Sequence, residues 1–133
     1  MIHIGIYLAS EPYGGGTYQY NLSVIHALES FDKNKYKITA FFHDEKWIEI
    51  TPKEFAKVTA GRPLILRAFG RIYKMIDRTP EGWRRFAAIF NPMVKRINNS
   101  DCDIVIYPSQ DAASYQTNKK SLSTIHDLMH RYE

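Results

Sequence analysis

Three stretches of this chain carry residue types that could do chemistry. The first is Ser10-Glu11-Pro12-Tyr13-Gly14-Gly15-Gly16-Thr17, in which three consecutive glycines separate an apolar run from an amphipathic one. Glycines let a backbone turn sharply and approach a ligand closely, and a helix that follows aims its free amides and positive dipole end at the same spot, so this is a phosphate-binding arrangement. The alternative, a turn whose glycines only solve a backbone problem, would fit one glycine better than three. The second is Ile125-His126-Asp127-Leu128-Met129-His130, which offers a histidine with a carboxylate beside it. The third is Pro108-Ser109-Gln110-Asp111, a short polar turn after an apolar run.

Elements of two periods position these stretches. Residues 2–8 read as a buried strand with Ile4, Ile6 and Leu8 on one face, and Leu22, Ile25, Leu28 and Glu29 recur at helical spacing, with Gly16 or Thr17 as N-cap. Residues 37–43 form a second apolar strand and residues 55–59 a short third one. Helical stretches follow at 63–78 and 81–98, the latter bent at Pro92, before a fourth strand at 103–107 and a fifth at 123–126. Strands alternating with helices build a parallel sheet covered on both faces. The expected fold is therefore α/β, a Rossmann-like sheet of order 3-2-1-4-5. Its ligand crevice opens at the carboxyl ends of the strands, where all three polar stretches converge.

Composition narrows the functions further. With 133 residues and 44% apolar content, the chain can build one domain with a real core. A net charge of +4 suits acidic or phosphorylated partners. A single cysteine, Cys102, excludes a disulfide framework and fits a reducing, cytoplasmic setting. No apolar run approaches the roughly 20 residues that span a bilayer.

Several specific chemistries fit poorly. A dinucleotide fingerprint needs a third glycine where Gln19 stands, which leaves NAD with little support beyond Asp44 as a ribose-binding acid. His126 and His130 copy the spacing of a zinc-protease helix, but with aspartate in place of the glutamate, on a segment growing out of a strand and without an obvious third ligand. No metal is expected. His130 reads as a solvated or capping residue, His3, His26 and His43 as structural ones, and His126 as a cleft residue in preference to a core one.

The glycine loop, the Asp-Cys-Asp-Ile-Val-Ile-Tyr-Pro-Ser strand and the Ile-His-Asp-Leu-Met-His segment, in this order and spacing, resemble the N-terminal half of the family 4 retaining glycosyltransferases, which have the two-domain GT-B architecture. The resemblance runs from Met1 to Glu133. It implies a domain that holds the sugar acceptor on one side of a cleft, while a second Rossmann-like domain holds a nucleotide-diphosphate sugar, the donor substrate, on the other. By that resemblance Gly14, Gly15 and Gly16 approach the donor diphosphate and the acceptor, and His126 contacts the donor sugar near the reacting carbon. Asp127 would orient His126 or the local backbone, and Tyr18 and Gln19 would touch the acceptor. Ser109 and Gln110 line the same wall by position. The family generally needs neither metal nor cofactor. Its nucleotide-sugar-binding C-terminal domain is not among these 133 residues, so no turnover is expected from them alone. The acceptor implied is a cell-envelope polysaccharide or glycolipid such as lipopolysaccharide.

A second feature is cationic. Ile65, Phe69, Ile72, Tyr73 and Ile76 fall on one helical face, and Arg67, Arg71, Lys74 and Arg78 on the other. Trp83, Arg84, Arg85, Phe86 and Phe90 continue the aromatic and basic character. Such a face can bind anionic lipid headgroups, which would make the protein peripheral on the inner face of the plasma membrane. The competing account packs the apolar stripe on the sheet and leaves the basic face solvated. Nucleic acid is not an expected partner, because no recognised fold signature for it is visible. A stand-alone nucleotide- or phosphate-binding α/β module without catalysis is the alternative to the transferase reading.

Overall fold

The computed structural model describes residues 1–13, 15–61, 81–82, 91–109 and 113–124. In chain order the described elements are β1 (Ile2–Leu8), α1 (Gly15–Glu29), β2 (Tyr36–Phe42), α2 (Trp47–Ile50), β3 (Ala56–Thr59), α3 (Pro92–Asn98), β4 (Ile104–Tyr107), α4 (Ala113–Gln116) and β5 (Lys120–Ser123). The five strands form one sheet in the order β3-β2-β1-β4-β5, and every pairing is parallel. This is the Rossmann-like arrangement expected from the alternation of elements.

The strand period of two explains the layers. On one face Ile4, Ile6 and Leu8 of β1 and Ile38, Ala40 and Phe42 of β2 pack with Ile25 and Leu28 of α1 and with Trp47 of α2. On the other, Tyr7, Phe41, Val105 and Tyr107 pack with Met93 and Ile97 of α3 and Ala113 of α4. Both faces are therefore covered, which is why β1 and β2 read as nearly continuous apolar runs. Gly5 sits where the second face is tightest. A Cβ there would lie 3.0 Å from Phe41, 3.1 Å from the Cys102 sulfur and 3.2 Å from Val105. Cys102 is buried and free, and burial pushes its thiol pKa up, which keeps it a packing group.

Four boundaries differ from the sequence expectation, each for a physical reason. First, α1 begins at Gly15, so Gly16 and Thr17 lie in its first turn and neither is the N-cap. Second, Pro92 does not bend a longer helix. Asn91 is extended (φ −93°, ψ 111°) and its side chain accepts from the Met93 and Val94 amides at 3.0 and 3.4 Å. A helix therefore starts afresh with proline in its first turn, where a missing N–H costs nothing.

Third, β5 spans Lys120–Ser123 and not 123–126. As an edge strand its four residues are all exposed, so it carries no apolar signature, and its register is set by backbone pairing from Ile104↔Lys120 to Tyr107↔Ser123. Fourth, β2 is shifted by one residue, and β3 and β4 each start one residue later than expected, within the usual fraying of strand limits. The stretch 62–80 and residues 83–90, where the cationic amphipathic helix was expected, lie outside the described residues. No helix among the described residues is long and apolar enough to cross a membrane.

Candidate functional site

In a sheet of this order the chain reverses direction of winding between β1 and β4, and the crevice opens beyond their carboxyl ends. The segment after β1, the start of α1 and the Pro108-Ser109 turn after β4 meet there. A polar network ties them together. The Asn21 amide on α1 donates to Ser10 Oγ at 3.1 Å, and Ser109 Oγ donates to Asn21 Oδ1 at 3.5 Å. Trp47 Nε1 donates to the Ser10 carbonyl at 2.9 Å. Tyr20 and Thr124, just past β5, share a hydrogen bond of 3.2 Å between their hydroxyls.

Asn21 is fully buried, at 0% exposure, on the same helical stripe as Ile25 and Leu28. An asparagine amide in such a place costs free energy unless it is satisfied, and here both ends of the amide are used to bridge two loops. Trp47, also at 0%, fastens the same loop from the β2 side. Ser10 is thus held at its side chain and at its backbone by two different helices.

The glycines answer to different demands. Gly15 has φ 66°, the left-handed region that an L-residue occupies at a cost. Gly16 has no such requirement, and a Cβ built on either residue would meet nothing within 4 Å among the described residues. So the backbone favours glycine at position 15, while at position 16 neither conformation nor packing among the described residues does. The first turn of α1 itself holds no acidic residue.

Of the residues singled out from the sequence, Gly15, Gly16, Tyr18, Gln19 and Ser109 come together at this crevice. Gln19 is exposed, whereas Tyr18 is half-buried, its ring packed between Tyr13 and Trp47 at centroid distances of 5.2 and 5.8 Å. Gly14, Gln110, His126, Asp127, Arg67, Arg71, Lys74 and Arg78 lie outside the described residues. Asp44 uses one carboxylate oxygen on the Lys46 amide at 3.0 Å, which shapes the turn into α2.

His43 is held from both sides. Its Nδ1–H donates to the Ala60 carbonyl at 2.7 Å, which leaves Nε2 to accept from the Tyr7 hydroxyl at 3.0 Å. His3 pairs through Nε2 with the Thr39 hydroxyl at 2.6 Å. Its pKa is lowered, first by burial and then by Lys37, against the opposing pull of the Asp101 backbone and the Asp101 and Asp103 carboxylates.

Sequence reasoning did not find Asn21, Tyr20, Trp47 or Thr124, and it named Ser10 only as part of the glycine stretch. The one available signal was Asn21, a polar residue in register with the apolar stripe of α1. A cleft of about 230 Å³ lies at the opposite, amino-terminal end of the strands, lined by Met1, Leu28, Phe31, Tyr36 and Phe55. Lys33 and Glu54 pair beside it at 3.1 Å, both exposed, a contact of small energetic value. Among the described residues no group of His, Cys, Asp and Glu could hold a metal ion.

Fold and crevice together define a parallel α/β domain with a polar switch-point crevice at the carboxyl ends of β1 and β4. No family model, curated protein or solved structure matches the chain.

Proposed function

We propose that this chain is the acceptor-side domain of a retaining glycosyltransferase that moves a sugar from a nucleotide-diphosphate donor to a cell-envelope glycan or glycolipid. The observation that carries the reading is Gly16: a glycine that, among the described residues, neither backbone nor packing requires, in the first turn of a helix with no acidic residue in that turn, over the switch point of a parallel sheet. Glycosyl transfer develops negative charge on the departing diphosphate and positive charge on the sugar. Amides at the start of α1 would stabilise the first, and they need no reorganisation because the Asn21 and Trp47 contacts hold the loop beforehand. His126 would contact the donor sugar near the reacting carbon, with Asp127 orienting it, and the nucleotide would be gripped by a second Rossmann-like domain. These last roles rest on the family resemblance.

The basic residues Arg67, Arg71, Lys74 and Arg78 would hold the protein at the anionic inner face of the plasma membrane, where a lipid-linked acceptor is presented. The second reading, a nucleotide- or phosphate-binding module without catalysis, is favoured by the same glycine and differs only in turnover. The test is therefore turnover in the intact enzyme, followed as nucleoside diphosphate released from a panel of nucleotide sugars with glycolipid acceptors and a chelator present. Acceptor-dependent release with retained anomeric configuration, reduced on the order of 100-fold by His126→Ala, supports transfer. Binding of nucleotide sugars without release from any of them would favour the non-catalytic module.

A further inference from the structure

Tyr13 stands immediately before the three glycines. It is the non-glycine residue with positive φ among the described residues, at 67°. A bulky side chain in that region costs roughly 1–2 kcal/mol relative to the right-handed one, a cost glycine would avoid. Burial does not recover it, since Tyr13 remains 68% exposed. Its ring is nevertheless fixed. It packs on Tyr18 at 5.2 Å with a 48° tilt, and Tyr18 packs on the buried Trp47 at 5.8 Å with a 45° tilt. A ladder of three aromatic rings thus runs from the core to the surface and ends in a solvent-facing tyrosine beside the start of α1.

We propose that Tyr13 is a stacking platform for a hexopyranose ring, the acceptor sugar in the reading above, on which this inference rests. A pyranose has one face of C–H groups and an edge of hydroxyls. The C–H face fits an aromatic ring held at a fixed orientation, and the hydroxyls fit polar neighbours such as the exposed Gln19. The platform is one ring wide. Among the described residues near it in sequence, Glu11, Gly15, Gly16 and Gln19 are exposed and polar or bare of side chain, so these residues offer no apolar patch to seat a protein or a lipid surface. Gly15 and Gly16 leave this side uncrowded, since among the described residues nothing within 4 Å would meet even a Cβ there.

The experiment is saturation-transfer NMR of the chain with a set of methyl hexopyranosides, and with uridine and adenosine for comparison, on wild type, Tyr13→Ala, Tyr13→Trp and Tyr13→Gly. Saturation should reach the C–H protons of one sugar face. Tyr13→Ala should weaken glycoside binding about tenfold, the equivalent of one aromatic contact, and Tyr13→Trp should retain it. Tyr13→Gly removes both the ring and the backbone strain, so it should lose the sugar while its Tm stays within about 2 °C of wild type or rises.

Glycosides binding equally well to Tyr13→Ala would overturn the platform and leave the acceptor-side reading standing. Tyr13-dependent binding of nucleosides with none of glycosides would also overturn it, in favour of a base-stacking surface. Absence of glycoside binding to wild type would overturn it too, while the transferase reading would still be decided by acceptor-dependent turnover of the intact enzyme.

Discussion

Replacing Gly16 by alanine separates what the fold needs from what a ligand needs. In a helix, alanine is favoured over glycine by about 0.5–1 kcal/mol because it loses less backbone entropy. At position 16 nothing among the described residues offsets that gain, since φ is not left-handed and the new Cβ meets none of them within 4 Å. For a domain of 133 residues, Gly16→Ala should therefore raise Tm by roughly 2–4 °C. Two other glycines provide the scale. Gly15→Ala keeps the same open space but must hold φ 66°, and should lose about 1 kcal/mol. Gly5→Ala pushes a methyl group to 3.0 Å from Phe41 and 3.1 Å from the Cys102 sulfur, and should lose about 1–3 kcal/mol through overpacking.

The assay pairs urea unfolding of the three variants with titration of inorganic pyrophosphate into the folded proteins. Gly16→Ala should be the most stable of the set and should bind pyrophosphate more weakly than wild type, because the methyl group occupies the approach to the first-turn amides. A stabilised Gly16→Ala that binds as well as wild type would refute the assignment of that glycine to a ligand. A destabilised one would refute the reading of the local packing.

Other outcomes follow from the same structure. Asn21→Ala removes a 3.1 Å and a weak 3.5 Å hydrogen bond and leaves an amide-sized void, while the half-buried Ser10 and Ser109 can rehydrate. The loss should be about 2 kcal/mol by urea unfolding, with faster amide exchange in the loop after β1, whereas Tyr20→Phe at the exposed Thr124 contact should cost less than about 0.5 kcal/mol. His3 has a lowered pKa, so the folded state binds fewer protons than the unfolded one as pH falls. Its stabilising contribution is complete above the unfolded value near 6.5 and is lost as pH drops through the folded value. A Tm-against-pH profile from neutral to about pH 5 should fall, and His3→Gln should flatten it. Finally, replacing Arg67, Arg71, Lys74 and Arg78 together by glutamine should abolish sedimentation with anionic vesicles, and added salt should weaken sedimentation of the wild type. If wild-type protein fails to sediment, the membrane role is wrong.

What the sequence disclosed follows burial. β1 and β2 are covered on both faces and write themselves as apolar runs, so their order in the sheet and the position of the glycine loop were readable. β5 was misplaced by three residues because Lys120–Ser123 is exposed throughout, and its position is determined by backbone pairing with β4, which side chains do not encode. Pro92 was read as a bend because proline disrupts a helix interior, whereas the extended Asn91 before it makes it a helix start. The site was half legible. Gly15, Gly16 and Ser109 were marked by composition and position, but the bridge through Asn21 depends on partners 11 and 88 residues away in the chain. Pairings of that kind have no local period to betray them. Tyr13 was hidden for a different reason, since left-handed backbone at a tyrosine is a property of the folded loop and runs against the residue's own preference.

The most direct test of the central claim, that the switch-point crevice is the ligand site, is to map amide chemical-shift changes on this chain as inorganic pyrophosphate and then nucleotide-diphosphate sugars are added. The account predicts the largest changes at Ser10, Gly15, Gly16 and Ser109, with smaller ones at Asn21. Changes confined to the cleft near Phe31 and Phe55 at the other end of the sheet, or none along the glycine loop, would contradict it.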